Sequence, residues 1–264
     1  MDLKTQPIER NISEQVFIDE FTTLQLNTDN WIPFYLPQWS SRLQSAPVYS
    51  FENECLCLHI TEDQQPWCPE FNGAVKCSSI QTGVFSGETG SVYGQHHFTS
   101  NLYVREFQAT EKKFVPFYGY FEIRAKALIT NSNVVALWLI GFEEMPAQSA
   151  EICIVEIKGE NVQTGSAKIG YGIRQFKDPD LRDIFFEDEF KIDVAEFHVY
   201  AAAWRPGYVD FFIDHNHIRR IEQSPNYPMQ FMLGIYEVPV ELKDAKDTVY
   251  PKTFVVDYVK AWRL

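Results

Sequence analysis

The chain has 264 residues, of which 45% are hydrophobic and 22% are charged. This balance is typical of a globular protein and excludes disorder over most of the chain. Asp and Glu outnumber Lys and Arg by 36 to 23, which gives a net charge of −13. We therefore expect no nucleic acid partner and no membrane association, since no basic run is present and no apolar run approaches the roughly 20 residues of a membrane span.

Residues 1–15 are polar and mixed in charge, and we predict an N-terminal arm there, followed by a single domain over residues 16–264. Single all-β domains of roughly 200–250 residues are common, so this length requires no second domain. The arm lacks the apolar segment of a signal peptide. We expect a cytoplasmic protein, or a secreted one if a signal was removed, and we expect a monomer.

Aromatic residues make up 15% of the chain and lie with β-branched residues in short runs between Gly, Pro, Asn and Asp. Such runs favour pleated, half-buried strands. Residues 61–76 indicate a long loop, and 179–190 a short helix or an irregular loop. We predict strands at residues 48–60, 77–85, 101–108, 118–128, 134–141, 151–157, 167–173, 197–204, 208–213, 217–222, 229–236 and 253–263.

Many short strands without intervening helices are typical of a β-sandwich or barrel, so we predict an all-β fold. The cysteines are odd in number and have neither zinc-site nor redox spacing. We expect all of them to be thiols in a reducing compartment. They are Cys55, Cys57, Cys68, Cys77 and Cys153.

One apolar strand carries two carboxylates, Glu151 and Glu156. Side chains alternate along a strand, so Glu151 and Cys153 share a face and Glu156 falls on the opposite one. One extra residue at Ile154-Val155, a β-bulge, would return Glu156 to the face of Glu151, and bulges are enriched beside active sites. Two carboxyls about 5–6 Å apart would suit a retaining glycosidase; an edge strand with two solvated glutamates is the ordinary alternative.

Several segments resemble glycoside hydrolase family 16, the laminarinase and lichenase group, and they occur in the family's order over nearly the whole chain. The strand from Glu151 to Glu156 is similar to its Glu-x-Asp-x-x-Glu signature, which has the bulge between the second and third positions. Residues 117–126 resemble its Tyr-Gly-x-x-Glu-x-Arg strand. Further matches are residues 136–139, 197–206 and 256–259, and an opening at 17–21 with Trp31.

The resemblance implies a concanavalin-like jelly-roll sandwich of two antiparallel sheets, with a sugar-binding groove across the concave face. It implies that Glu151 is the nucleophile and Glu156 the general acid/base. Cys153 departs from the pattern, because the family has an Asp there that hydrogen-bonds the nucleophile and separates the two glutamate pKa values. A thiol is a weak donor and a poor acceptor, so we expect an effect on catalytic efficiency. Two flanking carboxylates would also keep Cys153 neutral, which argues against a nucleophilic thiol.

Five side chains are candidates for sugar binding. In the family a Trp at the place of Trp138 flanks the catalytic subsite, and a core position is the alternative. Trp39, Arg42 and Trp67 lie in loops that suit a glycan groove, since sugar rings stack on aromatic faces; a loop Trp can equally plug the end of a sandwich. Tyr236 lies at the end of a strand that faces the groove in the family.

No cofactor is expected to be required, but the resemblance implies a structural Ca²⁺ on the convex face. Its ligands would include Glu20 and Asp257, and two ordinary surface acids are the alternative. The adjacent His96 and His97 point to opposite faces of an extended segment, which argues against a metal there.

The sequence thus predicts an endo-β-glucanase-like O-glycosyl hydrolase that acts on a β-linked polysaccharide or oligosaccharide, with a β-glucan as the expected substrate. The two glutamates would act by double displacement with retention. Two alternatives remain: a glycan-binding jelly roll whose catalysis is weakened by the Asp-to-Cys change, and a transglycosylase that uses the same glutamates. Release of reducing ends distinguishes a hydrolase from the glycan-binding jelly roll. Lengthening of the product distinguishes a transglycosylase from a hydrolase.

Overall fold

The computed structural model describes residues 14–127, 130, 132–239 and 249–264, so most of the predicted N-terminal arm lies outside the described residues. Strands dominate, with one helical turn, Pro69–Asn72, and two 3-10 turns, Pro37–Trp39 and Gly159–Asn161. The strands in chain order are β1 (Gln15–Asp19), β2 (Val48–Glu52), β3 (Cys55–Ile60), β4 (Lys76–Gln81), β5 (Gly83–Val84), β6 (Glu111–Lys112), β7 (Gly119–Ala127), β8 (Asn133–Gly141), β9 (Glu151–Lys158), β10 (Val162–Gln163), β11 (Ser166–Arg174), β12 (Ile184–Phe190), β13 (His198–Arg205), β14 (Tyr208–Ile213), β15 (Asn216–Ile221), β16 (Met229–Glu237) and β17 (Lys252–Trp262).

Two large antiparallel sheets form the body of the protein. The first has the order β15-β14-β13-β7-β17-β3-β2, with β1 paired to β17 beyond the end of β3. The second has the order β10-β11-β9-β8-β16-β4, with β12 paired to the outer side of β11. Strands β5 and β6 form a small separate ladder. The predicted all-β sandwich of two antiparallel sheets is confirmed.

The main core lies between the two sheets and follows the strand period of two. On β8, Leu137 and Leu139 belong to this core, whereas Ala136 and Trp138 belong to a second apolar cluster on the outer face of the same sheet. On β16, Leu233 is in the core. Because alternate residues face opposite sides of a strand, the second sheet is apolar on both faces. Its outer face is therefore available to form the floor of a site.

Four sequence predictions about strands are wrong. The run 48–60 is a hairpin of two strands, because Asn53 and Glu54 adopt positive φ angles of 50° and 59° and turn the chain. Residues 101–108 form no strand. Residues 179–190 were expected to form a helix or loop, but their second half is β12, an edge strand that pairs with β11 over seven residues. The run 77–85 is broken at Thr82, where the chain passes from β4 of the second sheet to β5 of the small ladder. The other predicted strands are confirmed to within a few residues at their ends.

The predicted state of the cysteines agrees with the structure. All five are buried and free, and none is paired with another. In the part of the chain that the structure describes, no helix is long and apolar enough to cross a membrane.

Candidate active site

A β-bulge in β9 brings the two glutamates to one face, as predicted. In the pairing with β8, Leu137 lies opposite Val155 but Trp138 lies opposite Cys153, so Ile154 is the extra residue. The pairing with β11 shifts at the same place. Both Ile154 and Val155 therefore point into the core between the sheets.

The outer face of the second sheet carries a cavity of about 550 Å³ that contains all three predicted catalytic positions. Its walls come from the central strands of that sheet and from the loops that follow or precede them. Most of the walls are apolar or aromatic, and the charged groups are few, as is usual for a ligand site. The lining residues are Tyr35, Asn72, Val75, His96, Val134, Ala136, Trp138, Glu151, Cys153, Glu156, Lys158, Arg174, Phe176, Tyr236 and Val238.

Glu151 is the more buried of the two glutamates, with 8% of its surface exposed. Burial raises the pKa of its carboxyl to about 8; Arg174 lowers it, whereas Glu156 and Asp183 raise it further. The Nε of Arg174 lies 3.8 Å from the Oε1 of Glu151. The cost of removing an ionised carboxylate from water thus exceeds the attraction of its cation, and Glu151 is mostly protonated in the free protein at neutral pH.

Glu156 stands at the more open side of the cavity, with 20% of its side chain exposed. Its Oε1 lies 3.5 Å from the Nζ of Lys158, which also donates a hydrogen bond of 2.8 Å to Glu187 on β12. The two glutamates therefore have different surroundings. Paired carboxyls in unlike environments are the usual basis for separate acid and nucleophile roles.

Cys153 lies between the two glutamates on β9 and is 1% exposed. Burial raises the pKa of its thiol well above the ordinary value, and the charges of Glu156 and Glu151 add to this. The thiol is therefore neutral, in agreement with the expectation that it is no nucleophile. The main cause is burial, and the flanking carboxylates expected from the sequence contribute less.

Two of the predicted sugar-binding residues line the cavity. Trp138 and Tyr236 lie on the adjacent strands β8 and β16, and the indole Nε1 donates a hydrogen bond of 3.2 Å to the tyrosine hydroxyl. Tyr35 packs edge-on against Tyr236, with ring centroids 5.4 Å apart. Together these three side chains form one aromatic wall beside the glutamates.

The structure places the other three predicted sugar-binding residues elsewhere. Trp39 and Trp67 are 0% and 1% exposed and donate their indole hydrogens to the Gln95 carbonyl and the Asn72 side chain. Neither has a free face on which a sugar could stack, so the prediction of direct contact is wrong, and both are buried in the second apolar cluster on the outer face of the second sheet. Arg42 bonds to Gln108 and ion-pairs with Glu111 at 2.9 Å and is not among the cavity's lining residues.

Each of the two predicted calcium ligands pairs with a cation in the described structure. The Glu20 carboxylate pairs with Lys260 at 2.7 Å, and that of Asp257 pairs with Arg124. Calcium takes six to eight oxygens, several of them from carboxylates, whereas here each acid is already neutralised by a cation. No group of three or more His, Cys, Asp or Glu suited to a metal occurs among the described residues.

Arg174, Lys158, Tyr35 and His96 are among the lining residues that were not predicted from the sequence as site residues. Arg174 ends β11 and lies directly opposite Glu151, a register that no local pattern reveals. His96 was considered only as a metal ligand. Its ring packs edge-on against Trp138 at 5.1 Å, and burial lowers its pKa to about 4, so it presents a neutral imidazole to the cavity.

Comparison with known proteins gives independent evidence on the family of this chain. The sequence profile of the glycosyl hydrolases of family 16 matches residues 95–260, which is more than half of the chain. Among curated proteins, an endo-1,3-1,4-β-glycanase, ExsH, of Rhizobium meliloti (strain 1021) is 23% identical over 97% of this chain and 53% of its own length. A second one, EglC of the same organism, is equally similar. The chain thus spans about half the length of these relatives.

Solved structures show the same fold. A GlcNAcα1-4Gal releasing endo-β-galactosidase from Clostridium perfringens has a TM-score of 0.80 and 29% identity, over 98% of this chain and 65% of its own. A laminarinase from Flavobacterium sp. UMI-01 has a TM-score of 0.64 and 18% identity, over 95% of this chain and 100% of its own. These likenesses confirm the predicted jelly roll. With the family profile matching over most of the sandwich and across the bulged strand, the chain belongs to glycosyl hydrolase family 16.

Proposed function

We propose that the chain is a retaining endo-glycosidase that cleaves a β-linked glycan in the cavity of the second sheet. The observation that carries the proposal is the bulge at Ile154, which puts Glu151 and Glu156 on one wall of one cavity. A pair of carboxylic acids that flank a bound glycosidic bond is the usual equipment of such enzymes.

In the proposed reaction, ionised Glu151 attacks the anomeric carbon while Glu156 donates its proton to the leaving oxygen. The glycosidic bond breaks as a covalent bond forms between the sugar and Glu151. Glu156, now a carboxylate, takes a proton from water, and the hydroxide displaces the sugar from Glu151 with a second inversion. The roles follow the resemblance of β9 to the family signature and fit the greater exposure of Glu156, which must meet water.

The aromatic wall of Tyr35, Trp138 and Tyr236 supports sugar binding beside the glutamates. Aromatic faces and edges bury the apolar side of a ring, while the Tyr236 hydroxyl and the neutral His96 ring offer polar atoms to its hydroxyl groups. This wall replaces Trp39 and Trp67 in the proposal.

The relatives suggest two kinds of substrate. The curated relatives are named for 1,3-1,4-β-glycans, which supports the β-glucan expected from the sequence. The structure with the TM-score of 0.80 is named for release of GlcNAcα1-4Gal, which supports a β-galactoside within a larger glycan. Both belong to one reaction class, endo-cleavage of a β-linked chain, and a substrate panel distinguishes them.

The test measures reducing ends released from mixed-linkage β-1,3-1,4-glucan, β-1,3-glucan and glycans that end in GlcNAcα1-4Gal. We expect turnover of at least one substrate, a first product in the β configuration by proton NMR, and loss of turnover in Glu151→Gln and Glu156→Gln. Glu189→Gln is the matched control, because this exposed glutamate of β12 lies outside the cavity. A first product in the α configuration, or full activity in Glu151→Gln, would refute the mechanism.

One observation favours a second candidate, a glycan-binding jelly roll with little turnover. A protonated Glu151 cannot attack, and burial keeps it protonated at neutral pH. This candidate predicts that the wild type binds a glycan of the panel at neutral pH yet releases reducing ends only as the pH approaches about 9, where Glu151 is mostly ionised.

A further inference from the structure

We propose that Arg174 is the positioning residue that stabilises the ionised form of Glu151 and aims it for attack, in place of the strong hydrogen bond that Cys153 does not supply. The inference rests on the proposed function, since it assigns to Arg174 a part in the same reaction. Arg174 would touch the nucleophile and not the reacting carbon.

The register of the sheet fixes this pairing. Arg174 is the last residue of β11 and lies directly opposite Glu151, the first residue of β9. Directly opposed residues of antiparallel strands are the closest cross-strand neighbours, and opposite charges there attract. The Nε of Arg174 lies 3.8 Å from the Glu151 Oε1.

Phe185 holds the guanidinium in place. The Cζ of Arg174 lies 3.9 Å from the centre of the Phe185 ring on β12, a stacked arrangement that suits the planar guanidinium. The Arg174 side chain is 38% exposed, whereas that of Glu151 is 10% exposed. The guanidinium of Arg174 therefore stays in contact with water, while its electric field acts on the Glu151 carboxyl, which has little contact with water.

The cysteine at position 153, where the family signature has Asp, makes a nearby cation more important for Glu151. A buried carboxylate is stabilised by hydrogen-bond donors or by a nearby positive charge. A neutral thiol donates weakly, and the neighbouring acids Glu156 and Asp183 oppose ionisation of Glu151. The ionisable groups that face Glu151 are Cys153 and Glu156 of β9, Arg174 of β11, Asp183 before β12, Tyr236 of β16 and the loop residue Tyr35. Of these, Arg174 is the cation.

The ordinary alternative is a surface arginine that merely packs on Phe185. Arg219 provides the matched control for this alternative. Its guanidinium also stacks 3.9 Å from a ring of β12, that of Phe186, and it ion-pairs with Asp188 at 2.8 Å, outside the cavity. Arg174→Met and Arg219→Met therefore remove the same kind of packing, but only the first removes a charge beside Glu151.

The first measurement is the acidic limb of kcat/KM against pH on the substrate that the wild type turns over best. Loss of a neighbouring opposite charge shifts a carboxyl pKa by about 1–3 units. In Arg174→Met we expect the limb to move up by that amount, with a roughly tenfold loss of rate below the limb for each unit. Arg174→Lys should recover part of the shift, and Arg219→Met should leave the limb in place. An unmoved limb in Arg174→Met, with turnover retained, overturns the inference.

The second measurement needs no turnover. The free energy of unfolding is followed against pH for the wild type, Arg174→Met, Glu151→Gln and the double variant. We expect Arg174→Met to destabilise more at pH 9 than at pH 5 when Glu151 is present, and equally at both pH values when Glu151 is Gln. The same pH dependence in both backgrounds overturns the inference even if no substrate is found. Absence of turnover by the wild type would refute only the proposed function. If Arg174→Met does not fold, Arg174→Lys and the wild type give the same comparison with a smaller expected shift.

Discussion

Replacing Glu151 by Gln should abolish turnover and, above about pH 5, make the protein more stable. The sign follows from the pKa of Glu151, which burial raises from 4.5 to about 8. Between these two values the folded state keeps the proton and the unfolded state loses it. Because the unfolded state binds fewer protons there, the free energy of unfolding falls as the pH rises. A Gln at this position has no proton to lose and avoids that fall.

The size of the effect follows from the same shift. Each unit of difference between the folded and unfolded pKa corresponds to about 1.4 kcal/mol. Integrated from low pH, the contribution of Glu151 lowers the free energy of unfolding by about 3 kcal/mol at pH 6.5 and about 4 kcal/mol at pH 8. Since whole domains are stable by only about 5–15 kcal/mol, this difference is easily measured.

The assay is urea unfolding at pH 5, 6.5 and 8, followed by tryptophan fluorescence. Glu143→Gln is the control, because burial also raises the pKa of Glu143 to about 8 and its Oε1 only accepts the backbone N–H of His96. We expect both variants to flatten the pH dependence and only Glu151→Gln to lose turnover. If the difference between the wild type and Glu151→Gln is the same at all three pH values, Glu151 is not a buried, protonated carboxyl and the reasoning fails.

Three further predictions concern other positions. Cys153→Asp should move the acidic limb of kcat/KM down by about one pH unit, because a carboxyl buried beside two others stays protonated and donates a hydrogen bond to Glu151. Cys153→Ser is the control. An unmoved limb in Cys153→Asp would contradict the hydrogen bond to Glu151. Trp39→Phe should lower the free energy of unfolding by about 1–3 kcal/mol and leave KM unchanged, since the ring is fully buried and does not line the cavity. A raised KM without loss of stability would restore Trp39 as a sugar-binding residue. Chelation followed by excess calcium should leave Tm unchanged, because Glu20 and Asp257 already pair with cations, and a Tm that rises with calcium would contradict this.

The bulged strand could be predicted because two local rules meet there. The apolar residues of β9 set the strand period, and the position of Glu156 breaks it by one residue. Only an inserted residue puts both glutamates on one face, and the resemblance to the family signature placed the insertion. The structure has it at Ile154. A strand can therefore be predicted from sequence when its residue pattern shows both which side chains share a face and that an extra residue is inserted.

The strand at β12 could not be predicted, because its pairing is not local. Ile184 and Phe185 are apolar and Glu187 to Glu189 are acidic, so the segment lacks alternation. It is a strand because the edge of β11 offers a ladder over seven residues. Gly172 allows this close pairing: its φ is +146°, and a Cβ there would lie 2.3 Å from the Ile184 carbonyl.

The segment 101–108 shows the opposite error. Leu102 and Val104 are buried and alternate with exposed Tyr103 and Arg105, which imitates a strand with one wet face. The two buried side chains pack into the cluster that contains Trp39, but no neighbouring strand pairs with this backbone. Alternation reports which side chains face the interior, and it does not report whether a ladder partner exists.

Site residues that lie close together in sequence or on recognised strands could be predicted, whereas a residue that reaches the site only through the pairing of two strands could not. Glu151, Cys153 and Glu156 lie within six residues, and Trp138 and Tyr236 lie on strands recognised by their period. Arg174 meets the site only through the register of two strands. Whether a tryptophan faces a groove or fills the end of the sandwich depends on loop packing, so Trp39 and Trp67 were left open between the two and proved to be buried.

Burial makes the ionised form of Glu151 costly in free energy in the free protein, but the same burial favours its attack in the proposed reaction. The transition state for glycoside cleavage carries positive charge on the sugar, close to the attacking carboxylate. In a cavity with little water, that charge attracts the Glu151 anion far more strongly than it would in solution, and so does the charge of Arg174. Before the reaction, neither a neutral glycan nor water attracts the Glu151 anion as strongly as the positive charge of the transition state does. The proposed reaction therefore predicts a cavity matched to the transition state rather than to the bound sugar, and it accounts for part of the stability that we expect Glu151→Gln to regain.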